Sequence, residues 1–262
     1  MDNKKPVILV VSFGTSYLDS IKSSIEAIEN DIREAFPKYE IRRAFTSPKI
    51  LRKLKKRDGL VIDNVKEAMD KLLEEGYESV RVQPTYVIKG FEYDDLVRDV
   101  KEYEGKFSHL SLGEPLLSEE KDYIDAASAA CEKISELQKE ADTAVVFMGH
   151  GTDHPGNSTY MRLQKAFDDM GKENCLVATV EAKPDICDIK KKLEERQIKN
   201  VYLLPFMIVS GDHANNDMAG DDPQSWKMIL KNEGFNVKCL LFGLGEYEKI
   251  RKIIVNKTRQ QL

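Results

Sequence analysis

The chain carries one plan twice. Gly14-Thr15 follows the apolar run Val7-Ile8-Leu9-Val10-Val11-Ser12-Phe13, and the pair returns 137 positions later as Gly151-Thr152, after Ala144-Val145-Val146-Phe147-Met148. A second correspondence sits further along each copy. Pro84 closes Ser79-Val80-Arg81-Val82-Gln83 and Gly90 follows six residues on. Pro205 closes Asn200-Val201-Tyr202-Leu203-Leu204 and Gly211 follows six residues on. A repeat this long is not that of a solenoid; it describes two copies of one folding unit. The 262 residues then divide into two domains of ordinary size. We expect an N-terminal α/β domain over 1–125 and a C-terminal one over 126–245, with the boundary in or just before the helical stretch Ser118–Lys139. The last helix, 246–262, should pack back on the first domain, because Ile250, Ile253 and Ile254 would otherwise form an exposed apolar stripe.

Within each copy, short β-rich runs alternate with amphipathic stretches. The strands are expected at Val7–Phe13, Tyr39–Phe45, Ser79–Gln83, Ser108–Leu112, Thr143–Met148, Cys175–Val180, Asn200–Pro205 and Asn236–Leu241. Helical periodicity marks Leu18–Phe36, Val65–Glu75, Tyr93–Tyr103, Ser118–Lys139, Ile186–Arg196, Pro223–Glu233 and Tyr247 to about Gln261. Such alternation gives a parallel sheet flanked by helices, once per copy, with a pseudo-two-fold axis and a cleft between the copies.

Composition narrows the function. Apolar residues at 41% supply a core, and a net charge of −5 argues against a surface built for nucleic acid or an anionic membrane. No apolar run approaches the roughly 20 residues of a membrane span. The β-branched run Val7–Phe13 has two lysines before it but no small-residue cleavage site after it, so it reads as a first core strand rather than a leader. Four scattered cysteines, Cys131, Cys175, Cys187 and Cys239, form no CxxC pair and fit reduced thiols in a cytoplasmic protein.

Open parallel sheets bind ligands beyond the carboxyl ends of their strands. Two of the four histidines fall there. His150 follows the fifth strand between Gly149 and Gly151, and His213 follows the seventh in Gly211-Asp212-His213. Each could simply cap a helix or satisfy a core hydrogen bond, but two at equivalent strand ends make that less economical. Glu181 ends the sixth strand, where a carboxylate needs a cation, a salt bridge to Lys183 or a capping role. Two imidazoles and one carboxylate suit a borderline divalent ion such as Co²⁺, Fe²⁺, Ni²⁺ or Zn²⁺, and three protein ligands leave coordination positions open, as catalytic sites do. His154 reads as a loop residue and His109 as structural. Ser12-Phe13-Gly14-Thr15-Ser16 could cradle a phosphate, but GxGxxG and the P-loop lysine are missing, so a nucleotide site is disfavoured. The run Lys49-Ile50-Leu51-Arg52-Lys53-Leu54-Lys55-Lys56-Arg57 is either a solvated helix face or a patch for a polyanion. With no aromatic interleaved, single-stranded nucleic acid does not fit it.

The residues together resemble the anaerobic cobalt chelatases, the sirohydrochlorin cobaltochelatases of the class II tetrapyrrole chelatase family. The likeness runs nearly end to end: LVVSFGTS (9–16), RAFTS (43–47), RKLKKRDG (52–59), VQP (82–84), EPLL (114–117), VVFMGHGT (145–152), GDHANNDMAGDD (211–222), SWK (225–227) and GLGE (243–246). Each piece is short, and their order and spacing are specific. The resemblance implies two flavodoxin-like α/β domains and a lyase that inserts Co²⁺ into sirohydrochlorin, or the related precorrin, on the anaerobic route to cobalamin. It puts the family's metal-binding His, Glu and His on His150, Glu181 and His213, and its catalytic base on His150, with Glu181 as metal holder, orienter or proton acceptor. No permanent cofactor is expected; the divalent metal is a substrate, and so is the tetrapyrrole. No nucleic acid or membrane partner is implied. Insertion of Fe²⁺ or Ni²⁺ into the same ring, and a non-catalytic haem or metal carrier of the same fold, are the alternatives. Ser12, Phe13, Gly14, Thr15 and Tyr86 are candidates to face the macrocycle, and Arg43, Lys49, Arg52 and Lys89 to meet its carboxylates. Tyr86 stands where many members carry histidine. A tyrosine is a poor Co²⁺ ligand unless ionised, with a pKa of about 10.

Overall fold

The computed structural model describes residues 6–137 and 140–262. In the first unit, Val7–Ser12 (β1) is buried at every position. It pairs in parallel with Glu40–Phe45 (β2) on one side and Ser79–Pro84 (β3) on the other, and β3 pairs with His109–Leu112 (β4), giving the order β2-β1-β3-β4. Continuous burial is what an interior strand of a sheet covered on both faces requires. Val7, Leu9 and Val11 pack with Val80 and Val82 against Val65–Glu74 (α4) and Phe91–Lys101 (α5). Ile8 and Val10, also fully buried, point to the opposite face.

Between β1 and β2 the chain forms Leu18–Ser20 (α1), a π-helical turn Ile21–Ile25, and Glu26–Ala35 (α2). The single helix expected over Leu18–Phe36 is therefore interrupted by a wider turn. That turn holds β-branched Ile21 and Ile25 and two serines, which favour a regular α-helix less than alanine or leucine does. The basic run folds as Pro48–Asp58 (α3), with Ser47 Oγ accepting from Ile50 N at its start and Gly59 in the left-handed region at its end. Only Leu54 of α3 is buried, so the lysines and arginines lie on the solvated face.

The second unit repeats the plan. Thr143–Gly149 (β5) pairs with Cys175–Thr179 (β6) and Asn200–Pro205 (β7), which pairs with Asn236–Cys239 (β8), in the order β6-β5-β7-β8. Ile186–Glu195 (α8) and Trp226–Asn232 (α9) cover one face through Ile186, Ile189, Leu193, Trp226 and Leu230. Ser158–Asp169 (α7) covers the other, where Phe167 stacks on Phe147 with centroids 5.3 Å apart.

Each unit also takes in the helix that follows the other unit's sheet. The first comprises residues 1–118 and 251–262, the second 119–250. Glu120–Lys133 (α6), after β4, thus belongs to the second unit, while most of Glu248–Arg259 (α10), after β8, belongs to the first. The expected helix Ser118–Lys139 is shorter than its periodicity suggested, and positions 138–139 lie outside the described residues. The chain's end is fixed to the first sheet by Gln261, whose Nε2 donates to Gln83 Oε1 at 2.8 Å and whose Oε1 accepts from Ser111 Oγ at 3.0 Å. Among the described residues, no helix is long and apolar enough to cross a membrane.

Candidate metal centre

His150 leaves the carboxyl end of β5. Gly149 precedes it because a Cβ there would stand 2.2 Å from the Tyr160 ring. Gly151 follows it with a φ of +82°, and its Cβ would meet Thr179 Cβ at 2.7 Å and Ala182 N at 2.9 Å. The backbone is thus pressed against the end of β6, where Glu181 N donates to His150 O at 2.9 Å. That bond places Glu181 beside the imidazole, its Oε2 3.6 Å from His150 Nδ1. His213 comes from the loop after β7, and its ring lies edge-on to that of His150 with centroids 4.5 Å apart. One ligating atom from each of His150, Glu181 and His213 falls within 4.8 Å of the others.

Several competing roles for these side chains are absent from the geometry. Lys183 Nζ binds Asp185 (2.6 Å) and Asp188 (3.1 Å), not Glu181. Asp185, not Glu181, caps α8, accepting from Cys187 N and Asp188 N. His213 opens the π-helical turn Ala214–Met218 without a capping bond from its side chain. The three remain partly solvent-exposed, so an ion can reach them. Both Nδ1 atoms are engaged: that of His150 lies 3.0 Å from Gly151 O, and that of His213 lies 2.7 Å from Asp217 Oδ2. With Nδ1–H donating in each ring, Nε2 carries the free lone pair.

Asp217 carried a signal of its own in the sequence. It stands four residues after His213, the spacing that brings side chains together on a helical face. His154 accepts from Gly156 N through Nδ1 at 2.9 Å, so it orders the loop before α7.

The residues expected to face a macrocycle are placed less uniformly. Phe13 is 47% exposed beyond β1, and Gly14 has a φ of +92° with no room for a Cβ beside the Phe45 ring. Ser12 is buried and accepts from Thr85 Oγ1 at 2.9 Å, and Thr15 Oγ1 accepts from Tyr17 N at 3.2 Å, so both hydroxyls serve the local fold. Tyr86, a candidate to face the macrocycle, is buried. It is 8% exposed in the first unit's core, and its hydroxyl meets Thr46 Oγ1 at 3.2 Å. Burial pushes its phenol well above the ordinary tyrosine range. Arg43 lies within β2, inside the strand expected at Tyr39–Phe45, and Glu29 takes its guanidinium through Nε and Nη2, both at 2.6 Å, with Glu26 at 3.4 Å. Lys89 is exposed and pairs with Glu114. Lys49 and Arg52 are exposed on α3.

Residues 6–262 match the family model described as "Cobalt chelatase (CbiK)". A sirohydrochlorin cobaltochelatase of Salmonella typhimurium is 39% identical over 258 residues, covering 98% of this chain and 97% of the relative. The sirohydrochlorin cobaltochelatase CbiKC of Nitratidesulfovibrio vulgaris is 35% identical over 246 residues, covering 93% and 86%. Among solved structures, SirB from Bacillus subtilis with Fe³⁺ aligns with a TM-score of 0.66 at 16% identity, covering 98% of this chain and 96% of that one, a likeness of fold.

Proposed function

Taking as premise that the chain belongs to the cobalt chelatase (CbiK) family, we propose that it inserts Co²⁺ into sirohydrochlorin without ATP. The observation that carries this reading is the meeting of His150, Glu181 and His213 within 4.8 Å at the carboxyl end of one sheet. Two imidazoles and a carboxylate hold a borderline divalent ion and leave positions on it for incoming ring nitrogens. Insertion forms bonds from Co²⁺ to the pyrrole nitrogens and releases two pyrrole N–H protons. As Co²⁺ passes to the ring it frees the Nε2 lone pair of His150, which takes one of these protons, and solvent takes the other. Glu181 Oε2, 3.6 Å from His150 Nδ1, offsets the positive charge that His150 then acquires.

Phe13 and the exposed cations Lys49 and Arg52 are proposed to meet the macrocycle and its carboxylates, in line with their exposure. Arg43 is left out, since Glu29 and Glu26 already neutralise it. We place the reaction in the cytoplasm, a reading that four cysteines outside any disulfide fit.

The test is an absorption assay of purified protein with sirohydrochlorin and Co²⁺, Fe²⁺ or Ni²⁺ in turn. Many turnovers per enzyme, fastest with Co²⁺, are expected. One equivalent of metal or tetrapyrrole bound without turnover would make the protein a carrier instead, and a faster rate with Fe²⁺ or Ni²⁺ would reassign the metal.

A further inference from the structure

The two imidazoles of the metal centre are held by different partners. His150 Nδ1 faces a neutral acceptor, the carbonyl of Gly151 at 3.0 Å. His213 Nδ1 faces a carboxylate, Asp217 Oδ2 at 2.7 Å. Among the described residues, His213 is the one ion-pair partner Asp217 has.

The segment that joins them is fixed at both ends. Ala214 and Met218 are buried in the second unit's core. Asn215 Nδ2 donates to Gly211 O at 2.7 Å and to Ser210 O at 3.2 Å, and Asn216 Nδ2 donates to Asp212 Oδ1 at 3.0 Å. Gly220 closes the turn so tightly that a Cβ there would stand 2.3 Å from Asn216 O. The turn is π-helical, with Ala219 N donating to Ala214 O. Such single wide turns are rare and recur at functional sites. Here it holds a carboxylate against Nδ1 of His213, which leaves Nε2 as that ring's free ligating nitrogen.

We propose that Asp217 is a positioning residue for the metal centre: by accepting Nδ1–H of His213 it fixes that ring's tautomer and strengthens Nε2 as a ligand, making His213 the anchoring imidazole. The inference rests on reading His150, Glu181 and His213 as the metal site. Its physical basis is general. A carboxylate on the far nitrogen of a ligating histidine orients the ring and makes the near nitrogen a stronger donor, and losing it commonly lowers metal affinity by roughly 10–100-fold. His150 has the weaker reinforcement: its Nδ1 meets a neutral carbonyl at 3.0 Å, and the Glu181 carboxylate stands off at 3.6 Å, beyond hydrogen-bond length.

The test titrates metal-free full-length protein with Co²⁺, read by calorimetry and by the visible absorption of the bound ion. Asp217 is half-exposed, so Asp217→Ala should leave the far-ultraviolet spectrum unchanged. It should weaken Co²⁺ binding by roughly 10–100-fold and alter the absorption of what binds. In turnover it should raise KM for Co²⁺ more than it lowers kcat. Adding Asp217→Ala to His213→Ala should lose nothing further, because a residue that acts through another has no effect in its absence.

Co²⁺ affinity within about twofold of wild type for Asp217→Ala would overturn the proposal. So would a second, equal loss in the double variant, which would make Asp217 a ligand in its own right. If His150→Ala and His213→Ala themselves leave Co²⁺ binding intact, the metal-centre reading fails and takes this inference with it. If they abolish binding while Asp217→Ala does nothing, only this inference fails.

Discussion

The two units share a backbone and differ in what they hang on it. Ser47 N donates to Phe13 O at 3.2 Å in the first, as Glu181 N donates to His150 O at 2.9 Å in the second. Thr85 N donates to Val11 O as Phe206 N does to Met148 O, and Leu116 N to Tyr86 O as Leu244 N does to Met207 O. These bonds align the strand ends residue by residue. They set Phe13 against His150, Ser47 against Glu181, and, counting from the matched prolines, Glu92 against His213. Ser47 shows what the change involved. In the first unit it caps α3. In the second, capping of α8 has moved four residues on to Asp185, and the position after β6 is free to hold Glu181. Glycine in the left-handed region is kept in both, at Gly14 and Gly151. The scaffold is therefore one solution used twice, and the candidate metal chemistry lies in three side chains of one copy.

The largest effect that could break this contrast is at the first pair. His150→Ala should lower the insertion rate by roughly 10²–10⁴-fold, the usual weight of a general base, and more if Co²⁺ no longer binds. The melting temperature should barely move, because the ring is partly exposed. Phe13→Ala, which removes an exposed ring, should lower the rate far less. Comparable losses in steady-state assays of the two variants would mean that the chemistry is shared between the copies.

The glycine pair sharpens the contrast. An alanine in the left-handed region is disfavoured by about 1–2 kcal/mol before any clash. At Gly14 the clash is with a side chain alone, the buried Phe45 ring. At Gly151 it is with Thr179 Cβ and the backbone nitrogen of Ala182, which cannot move without displacing the segment that carries Glu181. Gly151→Ala should therefore lower the melting temperature more than Gly14→Ala, and it alone should weaken Co²⁺ binding. Thermal unfolding and Co²⁺ titration of both variants check this; the reverse order would refute it.

The caps come next. Ser47→Ala and Asp185→Ala should each destabilise by about 1 kcal/mol, the ordinary worth of a cap. Because Asp185 also holds Lys183, its loss should be the greater in a denaturant titration. An equal or larger loss at Ser47 would mean that Lys183 adds nothing.

Much of this was legible in the sequence, for stated reasons. The strands were readable because buried parallel strands are near-continuous apolar runs, as Val7–Ser12 and Ala144–Met148 are. The duplication was readable because Gly-Thr and Pro-to-Gly spacing records backbone geometry, which both copies keep. His150, Glu181 and His213 were readable as a group because topology puts strand ends together. Partners set by side-chain contact were not. Arg43 looks like any other cation until α2 brings Glu29 and Glu26 against it. Tyr86 follows a strand-ending proline as Met207 does, and nothing in that pattern reveals Thr46 at its hydroxyl. The wide turn at Ile21–Ile25 breaks an apolar period that suits an uninterrupted helix equally well.

Tyr86 gives the smallest effect and a test in which pH changes the sign. Its counterpart in the second unit is Met207, so the first unit accepts a hydroxyl where the second has a thioether. Tyr86→Phe removes the bond to Thr46, worth about 0.5–1.5 kcal/mol net, and should leave the order of rates with Co²⁺, Fe²⁺ and Ni²⁺ unchanged, since a phenol held neutral by burial offers a metal no phenolate. The stability difference must then depend on pH. The folded pKa lies above that of the unfolded chain, near 10, so between the two the native state keeps a proton that the unfolded state has released. The stabilisation is fully present below about pH 10 and is lost as pH rises toward the folded value. Tyr93, pushed up to about 12 by burial, makes wild type and variant alike lose stability in alkali. Against that common decline, wild type should be the more stable at about pH 8, and its advantage should shrink and then reverse above about pH 10. Paired denaturant titrations at several alkaline pH values would show the crossing; a difference that stays constant to about pH 11 would mean that the Tyr86 hydroxyl ionises in the folded protein as freely as in the unfolded chain.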